Sequence, residues 1–210
     1  MQHFEHINEH NRNFNMKPSK HPLVSVFKYE DILPNFKRSV EPHTCGFFRI
    51  SMKWGGEGTI HYGRTEYDYD DGIWYFFSPN QTVAYSGVTN WQGFGILLHP
   101  SFLHDHPLAQ RIRQYDFFDY AVHEALHLSP AEKKTLIELF DKIHDEYHST
   151  QAAFSPSILI AYIELILNYA DRCYKRQFQT REKIANDTLA RFEQLVKDYF
   201  AQRKYQQLGQ

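Results

Sequence analysis

Residues 23–99 are a succession of short aromatic and β-branched runs, each closed by turn residues, and no other feature narrows the fold of this chain as much. The runs are Leu23–Tyr29, Phe47–Trp54, Thr59–Tyr62, Thr65–Tyr69, Ile73–Phe77, Thr82–Tyr85 and Phe94–Leu98. Only Gly63-Arg64 separates the third run from the fourth, which is hairpin spacing with a glycine able to take positive φ. Asp71-Gly72 and Ser78-Pro79-Asn80 mark further turns. Many short strands at such spacing predict a sandwich or a barrel.

From about residue 100 the apolar residues take a helical period. Ser129-Pro130-Ala131-Glu132 is a capping box with proline at the first helical position. The helix that it opens sets Leu136, Leu139, Phe140, Ile143 and Tyr147 on one face. Ser155-Pro156 opens a second helix, on which Glu164, Asn168 and Asp171 form a narrow polar stripe. The rest of that helix is apolar almost all round and needs neighbours on more than one side. A third helix is expected near Asn186-Asp187, with Leu189, Phe192, Val196 and Tyr199 along one edge.

Composition narrows the partners. The net charge is −2 with histidine neutral, and a duplex-binding domain ordinarily carries a basic face. Cys45 and Cys173 are far apart and make no disulfide framework, which favours a reducing, cytoplasmic setting. The polar N-terminus and the lack of any run of 18 apolar residues predict neither a signal peptide nor a membrane span. Residues 1–22 are rich in His, Asn and Lys, and are either a disordered lead or an arm that docks through Phe4, Ile7 and Phe14; composition favours disorder.

Four stretches carry a resemblance to the sensor domains of AraC-type transcription regulators. PHTCGFFRISMKWGGEGTIHYGRTEY (42–67) is similar to the first cupin motif, and DGIWYFFSPNQTVAYS (71–86) to the second. HPLAQRIRQYDFFDYAVHEALHLS (106–129) resembles the segment that joins barrel to helices in one branch of these regulators. TREKIANDTLARFEQLVKDYF (180–200) resembles the linker helix before their helix-turn-helix domain. The resemblance implies an α+β chain: a cupin-like double-stranded β-barrel (jelly roll) over 23–105, then an antiparallel helical pair for dimerisation over 106–178. A C-terminal linker helix would follow over 179–210. It implies a small-molecule effector, a homodimer and no cofactor. No helix-turn-helix unit precedes the last residue, Gln210, so DNA would be reached only through a domain outside this chain.

The cupin metal positions can be followed residue by residue. His43 stands at the first histidine, but Cys45, Arg49 and Val83 replace the second histidine, the glutamate and the late histidine. An arginine where a carboxylate belongs would repel a divalent ion, so no metal is expected from that set. His123-Glu124-Ala125-Leu126-His127 matches the zinc-protease pattern H-E-x-x-H, which requires a helix and a third ligand; coincidence in a chain with 13 histidines is the simpler reading.

The expected ligand-binding residues are His43, Cys45, Arg49, Trp74, Val83 and Tyr85. A buried Arg49 would suit a sugar acid or another carboxylate. Its orientation is open: alternation sets Phe48, Ile50 and Met52 inward and Arg49 outward, whereas the cupin resemblance sets Arg49 inward. Tyr162, Leu165, Ile166 and Tyr169 are the expected dimer residues on the helix after Pro156. The competing readings are a cupin-type enzyme, an isomerase or dioxygenase, and a packed structural module.

Overall fold

The structure, a computed structural model, describes residues 1–32, 34, 41–55, 60–62, 65–67, 73–83, 92–119, 126–150, 154–178 and 192. The chain divides into two compact units, Met1–Cys173 and Tyr174–Gln210. In the second unit residues 174–178 are helical, and the Tyr174 and Phe178 rings lie 4.4 Å apart between centroids. The linker helix expected over 179–210 lies outside the described residues except for Phe192, which is helical and exposed.

A five-stranded antiparallel sheet forms the centre of the first unit. Its order is β2 (Val24–Lys28), β8 (Gln92–Leu98), β4 (Phe48–Trp54), β7 (Ile73–Phe77) and β9 (Leu126–His127). Two smaller pieces accompany it. β1 (Gln2–Phe4) pairs in parallel with β3 (His43–Cys45), and β5 (Ile60–Tyr62) forms a hairpin with β6 (Thr65–Tyr67). The hairpin register joins Tyr62 to Thr65, as the two-residue spacing requires. Together with the helices this is the mixed content expected; the described residues do not trace a closed barrel.

β4 is buried on both faces, which decides the layering. Register sets Arg49, Ser51 and Lys53 on one face beside Phe77, Tyr75 and Ile73 of β7 and Leu97 of β8. Phe48, Ile50 and Met52 share the other face with Trp74, Phe76, Phe94 and Ile96. Helices cover this second face. Phe140 of α5 (Pro130–His148) stacks on Phe94 at 5.0 Å, and Phe118 of α4 (Asp116–Asp119) meets Phe48 at 5.0 Å.

The first face is covered by the N-terminal arm, which is ordered. Phe4, Ile7 and Phe14 are all buried. β1 finds a ladder partner in β3, and α1 (Ile7–Asn13) brings Ile7, His10 and the following Phe14 to one side at helical spacing. Three apolar contacts and a short ladder thus offset a polar composition that by itself favours disorder.

The helical half follows its sequence signals. Ser129 accepts from the Glu132 amide while Glu132 returns a bond to the Ser129 amide, completing the capping box, and Leu136, Phe140, Ile143 and Tyr147 are buried. Residues 156–173 are also helical. Ser155 N–H donates to Glu146 at 2.7 Å, and Cys173 contacts Glu132 at 3.4 Å. The polar stripe faces the joining segment: Arg111 pairs with Glu164, and Tyr115 Oη donates to Asn168 at 2.8 Å. Within the H-E-x-x-H stretch, His127 lies on strand β9 and not on a helix; His123 and Glu124 lie outside the described residues.

At the end of α5 the His144 and His148 rings lie 4.2 Å apart, and His148 Nε2 donates to the Val26 carbonyl at 3.2 Å. Burial holds both below the usual imidazole value of 6.5; Lys28 adds to the depression at His144, and the neighbouring ring does so at His148. A lowered folded pKa means that protons bind the unfolded chain first. Stability is therefore present above about pH 6.5 and falls as pH drops below it. The melting temperature should fall between about pH 7.5 and about pH 5.5, and His148→Gln should narrow that fall. An equal fall in the variant would remove His148 from the account.

Candidate functional site

The arm-covered face of the sheet collects the chemistry. Arg49 is 5% exposed and Lys53 is 1% exposed, four residues apart on the same side of β4. Each lies against aromatic rings. The Arg49 guanidinium is 5.4 Å from the Phe77 centroid, and Lys53 Nζ is 4.4 Å from the Tyr29 ring and 5.2 Å from Tyr75. Such cation–π contacts strengthen as water is excluded. Ser51, between Arg49 and Lys53, shares a 2.9 Å hydrogen bond with the Tyr29 hydroxyl. Gly95 makes the space: a Cβ there would fall 2.3 Å from the Phe27 ring, which lies across the sheet.

Arg49 therefore faces inward. Alternation pointed it outward because that rule assumes one wet face, and β4 has none. Arg49 Nη1 donates to His43 Nε2 at 3.3 Å. His43 belongs to β3, which bridges to Val83 through paired backbone bonds of 3.0 and 2.9 Å. Cys45 and Val83 are buried in the same cluster. His43, Cys45, Arg49 and Val83 are thus brought together. Trp74 is not: it pairs with Met52 and Leu126 on the opposite, helix-covered face and packs on Phe76 at 4.9 Å. Its parity along β7 is that of Met52, so it belongs to the core there. Tyr85 lies outside the described residues.

The electrostatics are those of a dry site. Burial first, and then the Arg49 charge, hold Lys53 well below the ordinary lysine value. The same two causes lower His43 to about 4 and keep His10 well below its usual value, so both imidazoles are neutral at pH 7. Burial raises the Cys45 thiol, against the pull of Arg49. At neutral pH the face thus offers a guanidinium, neutral imidazoles, a thiol and tyrosine hydroxyls.

Sequence reasoning missed His10 and Lys53. His10 falls at i+3 from Ile7 and i−4 from Phe14, so its place on the docked face was readable once the arm was taken as a helix. Lys53 shares the parity of Arg49. Beside this face a cleft of about 420 Å³ runs along the edge of β2, bounded by Met16, Phe27, Ile32, Tyr147 and His148. Its volume is in the range of small-molecule sites.

A family model, the AraC-like ligand binding domain, matches residues 24–165. That span covers most of the chain, and the chain belongs to this family of regulatory, small-molecule-binding domains. The match begins at β2, so β1 and α1 precede it. No curated protein matches the chain. No helix among the described residues is long and apolar enough to cross a membrane.

Proposed function

We propose that this chain is the effector-sensing and dimerising part of an AraC-type transcription regulator, and that its effector carries a carboxylate. The observation behind the ligand class is the buried Arg49, set with Lys53, Ser51 and His43 on a face walled by Tyr29, Tyr75 and Phe77. A guanidinium in a dry site binds a carboxylate through charge-assisted, bidentate bonds, and aromatic walls accept a sugar or aromatic body. The reading is not enzymatic, since Cys45, Arg49 and Val83 stand at the cupin metal positions. DNA would be met through a helix-turn-helix domain joined to this one, in a cytoplasmic protein.

A thermal-shift screen with sugars, sugar acids and aromatic acids tests the ligand class, because a ligand that binds the native state raises its melting temperature. An acid should stabilise the chain where its amide does not, and Arg49→Gln should remove the shift. Equal stabilisation by acid and amide would refute the carboxylate.

The Glu146–Ser155 and Glu132–Cys173 contacts support reading α5 and the 156–173 helix as an antiparallel pair. On the outer side of the second helix Ile158 is 46% exposed and Leu165 40%, with Tyr162 and Tyr169 half-buried between and after them. Steps of four, three and four residues along this row make a straight seam for a second copy. Ile166 leaves the seam, being wholly buried on the inner side. We expect light scattering to give a mass near twice 25.0 kDa and Leu165→Glu to halve it. A wild-type monomer at tens of micromolar would contradict the dimer.

A further inference from the structure

His10 on α1 and His43 and Cys45 on β3 are all buried, and their ligand atoms lie within 4.8 Å of one another. Hydrogen bonds fix both rings in the same sense. His10 Nδ1 donates to Asn11 Oδ1 at 3.2 Å, and the Asn11 amide is itself held by the Lys17 carbonyl. His43 Nδ1 donates to the Glu41 carbonyl at 3.4 Å. With the proton on Nδ1, each ring keeps its lone pair on Nε2. Among the described residues Nε2 of His10 has no hydrogen-bond partner, an uncommon state for a buried nitrogen and the usual one for an empty ligand.

We propose that His10, His43 and Cys45 bind a soft, monovalent transition-metal ion, Cu(I), which fastens the N-terminal arm to the sheet. This goes beyond effector sensing, shares His43 and Arg49 with that reading, and is tested with no effector present. Two imidazoles and a thiolate suit a soft ion, and three ligands suit trigonal coordination. Bonds of about 2.1 Å would place the ligand atoms roughly 3.6 Å apart, so the cluster closes by about 1 Å on binding.

Arg49 selects the charge. A divalent ion with one thiolate leaves a net positive charge beside a buried guanidinium, which the low dielectric penalises. Cu(I) takes the place of the thiol proton, which leaves to solvent; no electron is transferred and the charge of the site is unchanged. Arg49 then gives up His43 Nε2 and donates to the thiolate, a stronger acceptor. The cupin positions rule out the usual divalent set for the same electrostatic reason, and the third ligand comes from the arm, outside the barrel motif.

The test is an anaerobic titration of the reduced chain with Cu(I) against a coloured Cu(I) chelator, with Zn(II) in parallel. One equivalent of Cu(I) should bind. Affinity should drop roughly 100-fold in His10→Gln and in Cys45→Ser. It should be unchanged in Cys173→Ser, whose thiol contacts Glu132 elsewhere. X-ray absorption of the loaded wild-type chain should show one sulfur and two nitrogens, a result that holds even where a variant fails to fold. No Cu(I) retained against the chelator, equal Zn(II) binding, two sulfurs in the spectrum, or full affinity in a folded His10→Gln would overturn the proposal.

Discussion

Arg49 and Lys53 point to the same side of a strand that has no wet face, and the rest of the first unit is arranged around that constraint. A charge taken out of water is costly unless its surroundings replace the lost hydration. Here the surroundings include the faces of Phe77, Tyr29 and Tyr75, the lone pair of His43, and a shell of apolar side chains that excludes water. The same low dielectric depresses Lys53, holds His10 and His43 neutral and keeps the Cys45 thiol protonated.

The two faces of the sheet divide the work. On the helix side the contacts are apolar and aromatic, from Phe94 on Phe140 to Phe48 on Phe118, and give a rigid backing. On the arm side polar and charged groups are interleaved with aromatic rings, and the cover is a three-residue strand and a seven-residue helix. In the proposed sensing role that asymmetry would let a ligand act on one face and be reported on the other, where α5 and the 156–173 helix lie.

Much of this was legible in the sequence. Six of the strand runs, the two-residue hairpin and the Ser129 capping box depend on local chemistry and appear where turn residues and periodicity put them; Thr82–Tyr85 gives only the bridge at Val83, and its last two residues lie outside the described residues. Sidedness was harder. Alternation names the two faces of β4 but cannot say which is dry when both are, so the orientation of Arg49 needed the structure. Trp74 falls on the face opposite Arg49, which its aromatic character could not say; an aromatic in a sheet strand suits pocket and core alike, and only its pairing with Met52 sets the side. His10 escaped notice because the arm reads as polar, although Ile7 and Phe14 already mark the helical face that it shares.

The arm packs over the Arg49 face in the free chain, and amide hydrogen exchange reads this out. The Phe14 and Met16 amides donate to the His10 and Asn11 carbonyls at 3.1 and 2.8 Å. These two amides, with those of β3 that pair with β1, should exchange far more slowly than an unstructured peptide of the same sequence. Exchange of residues 1–16 at the free-peptide rate, while β4 and β8 remain protected, would contradict it and leave Arg49 open to water.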